Sequence, residues 1–176
     1  VLPHDKLIAK PSSEWELGTF PHPNYASLCA IVNYVCWIGS HFINLEDRRA
    51  CFLVGMDKIH AHERSLWIRM MEGSDEVPGL RHQVGVKVFL DSNNSIDRDL
   101  IVAMGIQAMD MSEAVRQYYK RGVTVYERVN TSLYSKRIVE SLGLSGVIRV
   151  SPLHCHTLEE IDRFLKVTQD IVASKV

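Results

Sequence analysis

Net charge is nearly missing from this chain of 176 residues: 20 Lys and Arg meet 21 Asp and Glu, for a formal net charge of -1. The two signs are mixed along the sequence. With no basic face for nucleic acid and no polybasic segment for anionic lipid, neither is an expected partner. Long apolar runs are missing too. None approaches the ~20 residues that cross a bilayer, and the first residues lack the charged-then-apolar order of a secretory signal. The cytoplasm is therefore the expected location. Cysteine is scarce, and Cys29, Cys36, Cys51 and Cys155 show no C-x-x-C spacing, which points to reduced thiols and no disulfide frame. Cys29 and Cys36 stand seven apart in a helical pattern, as buried thiols commonly do. There is no G-x-S-x-G, no Walker-type glycine loop and no obvious carboxylate pair, and neither an internal repeat nor a low-complexity tract. What remains, at 46% hydrophobic content, is enough to bury a core in one large or two small domains. The first residue is Val1 rather than Met, which points to processing or to a piece of something longer.

Pattern along the chain gives the elements. Residues 1–23 contain Pro3, Pro11, Pro21 and Pro23 and little periodicity, predicting an irregular, extended lead-in. With Asn24 as N-cap, Leu28, Ile31, Val32, Val35 and Ile38 keep helical spacing up to Gly39, where a glycine C-cap fits. A second, longer helix is predicted after Asn44, ending at Gly73, with Phe52, Leu53, Met56, Ile59, Leu66 and Met70 on its apolar face. Its length suits a link between domains. The period then changes to two. Val84, Val86, Val88 and Leu90 alternate around Lys87 as a strand, Ile101–Ile106 is a second, and Asp110 or Ser112 caps a helix that Gly122 closes. Val123–Val129 alternates as a third strand, a short helix over Tyr134–Leu142 stops at Gly143, and Val147–Val150 is a fourth strand. The last helix runs from Thr157 to about Ser174, opened by the capping box Thr157-Leu-Glu-Glu160. The second half thus reads β-β-α-β-α-β-α, an α+β unit with helices packed on one small sheet.

Arg149 is the residue most in need of explanation, because it places a permanent cation in the middle of an apolar strand. Strand alternation puts Val147, Arg149 and Ser151 on one face and Ile148 and Val150 on the other. A planar guanidinium suits a carboxylate held in bidentate fashion, and desolvating it without an anion is costly. Its anion is then a carboxylate or phosphate of a ligand, or an internal partner such as Glu127; on an edge strand, the side chain would instead stand in water. These alternatives stay open at this level. Gly18 and Thr19, in Glu16-Leu-Gly-Thr-Phe-Pro-His-Pro-Asn24, combine close backbone approach with a hydroxyl and an N–H, which suits a phosphate or, equally, an ordinary turn before a helix. His154-Cys155-His156 and His60-Ala-His62 have metal-ligating side chains but no second pair at ligand spacing, so no metal site is assigned and His154 and Cys155 read as pocket wall or loop.

Taken together, Trp15-Glu-Leu-Gly-Thr19, Ser132-Leu-Tyr-Ser-Lys-Arg-Ile-Val-Glu-Ser-Leu-Gly-Leu144 and Ile148-Arg-Val-Ser-Pro-Leu-His-Cys-His-Thr-Leu-Glu-Glu-Ile-Asp162 resemble the C-terminal portion of class V aminotransferases. The nearest branch is that of cysteine desulfurase-like and selenocysteine lyase-like proteins. The resemblance spans nearly all of this chain but only the latter part of the family's sequence. It implies α/β architecture of fold type I, with residues 1–44 as the end of a large cofactor-binding domain, 45–75 as a linking helix and 76–176 as an α+β small domain. It also implies pyridoxal 5'-phosphate (PLP) chemistry on an amino-acid substrate, in a homodimer with active sites at the subunit interface. Within that resemblance Arg149 matches the arginine that grips the substrate α-carboxylate, and Gly18 and Thr19 match the turn whose threonine reaches the cofactor phosphate of the partner subunit.

Two departures are visible. None of Lys6, Lys10, Lys58, Lys87, Lys120, Lys136, Lys166 or Lys175 has the Ser-x-x-His-Lys setting of the family's Schiff-base lysine, so no catalytic residue is assigned and the chain alone is expected to be inactive. The cofactor is expected in the full-length parent, where the lysine belongs to a region that would precede Val1. The loop matching the desulfurases' nucleophilic cysteine, Arg128-Val-Asn-Thr-Ser132, has no cysteine, which argues against sulfur transfer and leaves transamination, elimination or epimerisation. The rival expectations are a non-catalytic dimerisation or binding module that keeps the small-domain fold and, more weakly, a small metalloprotein using His154, Cys155 and His156.

Overall fold

The structure, a computed structural model, describes residues 21–44, 47–92, 94 and 98–174. The chain falls into two compact units divided between Lys58 and Ile59. The boundary lies inside the second helix.

In the first unit, α1 (His22–Ser40) begins two residues before the expected cap. Pro23 occupies its first turn and Pro21 precedes it, with no side-chain cap. Proline needs no hydrogen bond there and its fixed φ is already helical, so it displaces Asn24 as the start signal. Gly39 is likewise not the cap, which falls to His41. A Cβ at Gly39 would stand 1.8 Å from the Cys51 carbonyl oxygen, and one at Gly55 would stand 2.1 Å from that of Val35. These glycines serve the close approach of α1 to α2 (Arg48–Glu72). Of the cysteines only Cys51 is buried, and Cys29 is exposed, against expectation. Leu53 and Met56 are also exposed, because the inward face of this half of α2 is centred on Cys51 and Gly55 instead.

The second unit holds the rest of α2 and a four-stranded antiparallel sheet in the order β1-β2-β4-β3, with strands Val86–Phe89, Val102–Ile106, Tyr126–Val129 (β3) and Gly146–Val150 (β4). Helices α3 (Met111–Lys120), α4 (Lys136–Ser141) and α5 (Leu158–Ala173) complete the expected order. Each start has a local cause. Asp110 accepts from the Ser112 and Glu113 amides to cap α3, and Thr157 and Glu160 form the capping box of α5. Gly73 and Gly122 end α2 and α3 with positive φ, where a side chain would be strained.

One sheet face carries the core. Val102, Met104, Ile106, Ile148 and Val150 join Leu66, Trp67, Met70 and Met71 of α2, Ala114 and Tyr118 of α3, and Ile161, Phe164, Leu165 and Ile171 of α5. Inside it the Tyr118 hydroxyl donates to Thr168 Oγ1 at 2.8 Å, and Thr168 donates in turn to the Phe164 carbonyl, also at 2.8 Å. Arg69 clamps α5 to α2 through a two-pronged pair with Asp162, at 2.8 and 3.0 Å. Arg81 ties Glu72 at the end of α2 to Asp91 and to the Ser92 carbonyl beyond β1. No described helix is long and apolar enough to cross a membrane.

Candidate carboxylate-binding site

Antiparallel register decides what surrounds Arg149. Its cross-strand partners are Ala103 on β2 and Tyr126 on β3, and partners in register share a face. β4 is therefore an inner strand, which removes the expectation of an edge strand with its arginine in water. Glu127 pairs with Ile148 and points to the opposite face, so it cannot be the internal anion. The guanidinium stands 6.0 Å from the Tyr126 ring centroid and its Nε is buried with no hydrogen-bond acceptor. None of the ion pairs formed among the described residues involves Arg149. A half-buried cation with an orphaned donor has the chemistry of an anion receptor.

Arg149 lines two clefts. The first, of about 160 Å³, has polar walls from Thr124, Ser151, His156 and Glu160 beside Tyr126 and Phe164. Its one carboxylate is engaged elsewhere, since Glu160 Oε2 accepts from the Thr157 amide at 2.9 Å in the capping box. His156 is also committed: its Nδ1 accepts from the Leu153 amide at 2.9 Å, and its carbonyl accepts from His62 Nε2 at 2.9 Å. Two of the histidines named for metal, His62 and His156, thus fasten the loop after β4 onto α2. Among the described residues no group of His, Cys, Asp and Glu could hold a metal ion. The second cleft, of about 240 Å³, lies between α4 and the face that carries Arg149, and is almost wholly apolar.

Of the other expected site residues, Gly18 and Thr19 lie outside the described residues. Tyr126 and Ala103 were missed because they become neighbours of Arg149 only through pairing. Alternation in Val123–Val129 was the one available signal, since it fixes which residues of β3 share a face. Asp162, part of the motif that carries the resemblance, is explained by its clamp on Arg69 rather than by a ligand.

Several solved structures share this architecture. The apo cysteine desulfurase of Thermococcus onnurineus aligns over 72% of this chain and 29% of its own, with 21% identity and a TM-score of 0.57. The cysteine desulfurase CsdA of Escherichia coli aligns over 76% of this chain and 32% of its own, with 14% identity and a TM-score of 0.52. The chain has the fold of part of a cysteine desulfurase. The expected α/β fold therefore stands, and this chain spans under a third of the length of either structure. No protein-family model and no curated sequence matches it. The family resemblance read from the sequence implies PLP, whose aldehyde needs an amine. Neither cleft beside Arg149 is lined by a lysine. The described residues there offer a cation to a carboxylate and no amine to the cofactor's aldehyde.

Proposed function

We propose that this chain is the C-terminal, substrate-gripping portion of a PLP-dependent enzyme of the class V aminotransferase kind, and that Arg149 holds the α-carboxylate of its amino-acid substrate. The observation that carries this is the buried Nε of Arg149, which has no acceptor and stands at the junction of two clefts. A guanidinium fork takes both oxygens of a carboxylate and fixes the plane of the group, which orients the Cα bonds for whatever chemistry follows. The neighbouring residues do the rest of the positioning. Tyr126 stacks the cation, and Ala103 leaves room where a larger side chain would stand over it. In the parent enzyme PLP would supply the electron sink; by the resemblance alone, Gly18 and Thr19 match the turn that meets the cofactor phosphate of the partner subunit, and no lysine of this chain matches the Schiff-base position. A cytoplasmic homodimer completes the proposal. Leu28, Ile31 and Trp37, all exposed along α1, are the kind of surface that a partner subunit covers.

Isothermal titration of the chain with amino acids tests the carboxylate grip. Saturable heat that disappears in Arg149→Gln is expected. Heat that persists in the variant, or no heat with any amino acid, would overturn the proposal, and the second result would leave a non-catalytic dimerisation or binding module. Borohydride treatment after adding PLP is expected to fix no single stoichiometric lysine adduct.

A further inference from the structure

The proposed carboxylate grip leaves the rest of the ligand unspecified, and the second cleft is where the structure constrains it. Phe89, Leu90, Ala103, Ile138, Leu142 and Val147 line this cleft, and the charged groups on its wall are Arg149 and Arg128. No acid lines it, so a cationic tail meets two like charges and no counter-ion. No backbone-free amide or hydroxyl side chain lines it either, so a polar tail would lose its water without recovering hydrogen bonds. A second carboxylate could meet Arg128, but every other side chain beyond the two arginines is apolar, so apolar groups are what most of the cleft can repay. Leu90, Ile138 and Leu142 are 65%, 62% and 43% exposed, so much of their surface is still available for burial.

The mouth of the cleft is also held in an uncommon backbone state. Leu90 has φ +50, in the left-handed region that a leucine enters only at a cost. Its carbonyl accepts from Arg98 Nη2 at 2.5 Å, which fixes the turn. Strain of this kind, kept where an apolar side chain is set at the entrance of a cleft beside an orphaned cation, accords with a binding role rather than with packing.

We propose that the carboxylate bound by Arg149 belongs to an α-amino acid, or the matching 2-oxo acid, with an unbranched or γ-branched apolar side chain, and that this chain lies in the cleft between α4 and the sheet. The inference rests on the carboxylate grip proposed above. Arg149 stands at the boundary, with the polar cleft on one side for the charged end and the apolar cleft on the other for the tail.

The test is a series of free amino acids: alanine, 2-aminobutyrate, norvaline and norleucine, with serine as a polar control and aspartate as the acidic rival, whose tighter binding than norleucine would overturn the inference. Dissociation constants are read from methyl resonances of Ala103, Leu142 and Val147 in the full chain. Affinity should rise by up to about fourfold for each methylene buried, so norleucine should bind at least about tenfold more tightly than alanine. Ile138→Ser should lower the ratio of norleucine to alanine affinity by at least about threefold. Ile138 is exposed, so the fold should tolerate the change; if it does not, Leu90→Ser at the cleft mouth gives the same readout. Equal affinity across the series, or a gain that survives undiminished in the serine variants, would overturn the inference while the Arg149-dependent grip stands. Absence of binding by every amino acid would overturn both.

Discussion

Replacing Arg149 with methionine should make this protein more stable. The buried Nε donor has no acceptor, and an orphaned buried donor costs about 1–3 kcal/mol. Against that stands the cation–π contact with Tyr126, at 6.0 Å, which is worth about 0.5–1 kcal/mol at a partly exposed site. Methionine keeps an unbranched apolar stem over Ala103 and removes both effects, for a net gain of about 1 kcal/mol. With a urea m-value of about 2 kcal/mol/M, the unfolding midpoint should move up by about 0.5 M. Equilibrium urea unfolding of the two proteins, followed by circular dichroism, reads this directly. A structural arginine behaves in the opposite way, because breaking a buried ion pair costs about 3–5 kcal/mol. A fall in midpoint of more than 1 M for the methionine variant would therefore refute the view that the cation awaits a ligand.

The core hydroxyl pair should show asymmetric costs. Tyr118→Phe removes one hydrogen bond and leaves Thr168 donating to Phe164, for a loss of about 1 kcal/mol, whereas Thr168→Val strands a fully buried phenol and should lose about 1–3 kcal/mol. The double variant should be no worse than Thr168→Val alone, and simple additivity of the two losses would contradict the pairing. Acid should weaken the Arg81 network. His82 and Arg81 hold the Glu72 carboxyl below its ordinary 4.5, and Arg81 holds that of Asp91 below its ordinary 3.8. Lowered folded-state values mean that this stability is fully present above those ordinary values and is lost as pH falls through and below them. Urea midpoints measured from pH 6 to pH 2.5 should drop in that window, and Arg81→Gln should flatten the drop; an unchanged profile in the variant would count against the network.

Secondary structure in the second half was legible because its signals are local. The capping box at Thr157, the Asp110 cap and the glycines at 73, 122 and 143 all act within one turn of the chain, and the element order they imply is the one found. Near the first helix the local signals competed. Asn24 and Gly39 fit a cap pair, but the prolines set the start and the approach of two backbones claimed the glycine, and that approach is a tertiary fact. The apolar face of α2 was misjudged at Leu53 and Met56 for the same reason, since periodicity gives a stripe without saying where along it the partner lies. At the site, the alternation that isolates Arg149 from Ile148 and Val150 was readable from residues alone. Register was not, and register is what turns Glu127 away and brings Tyr126 alongside.

The Nε–H resonance of Arg149 is the most direct probe of the central claim. It should be followed by ¹H–¹⁵N correlation while norleucine, and separately norleucine amide, is titrated into the chain. A saturable downfield shift with the free acid and none with the amide is the expected result. A resonance that stays in place throughout, or that moves equally with both, would contradict a carboxylate at Arg149.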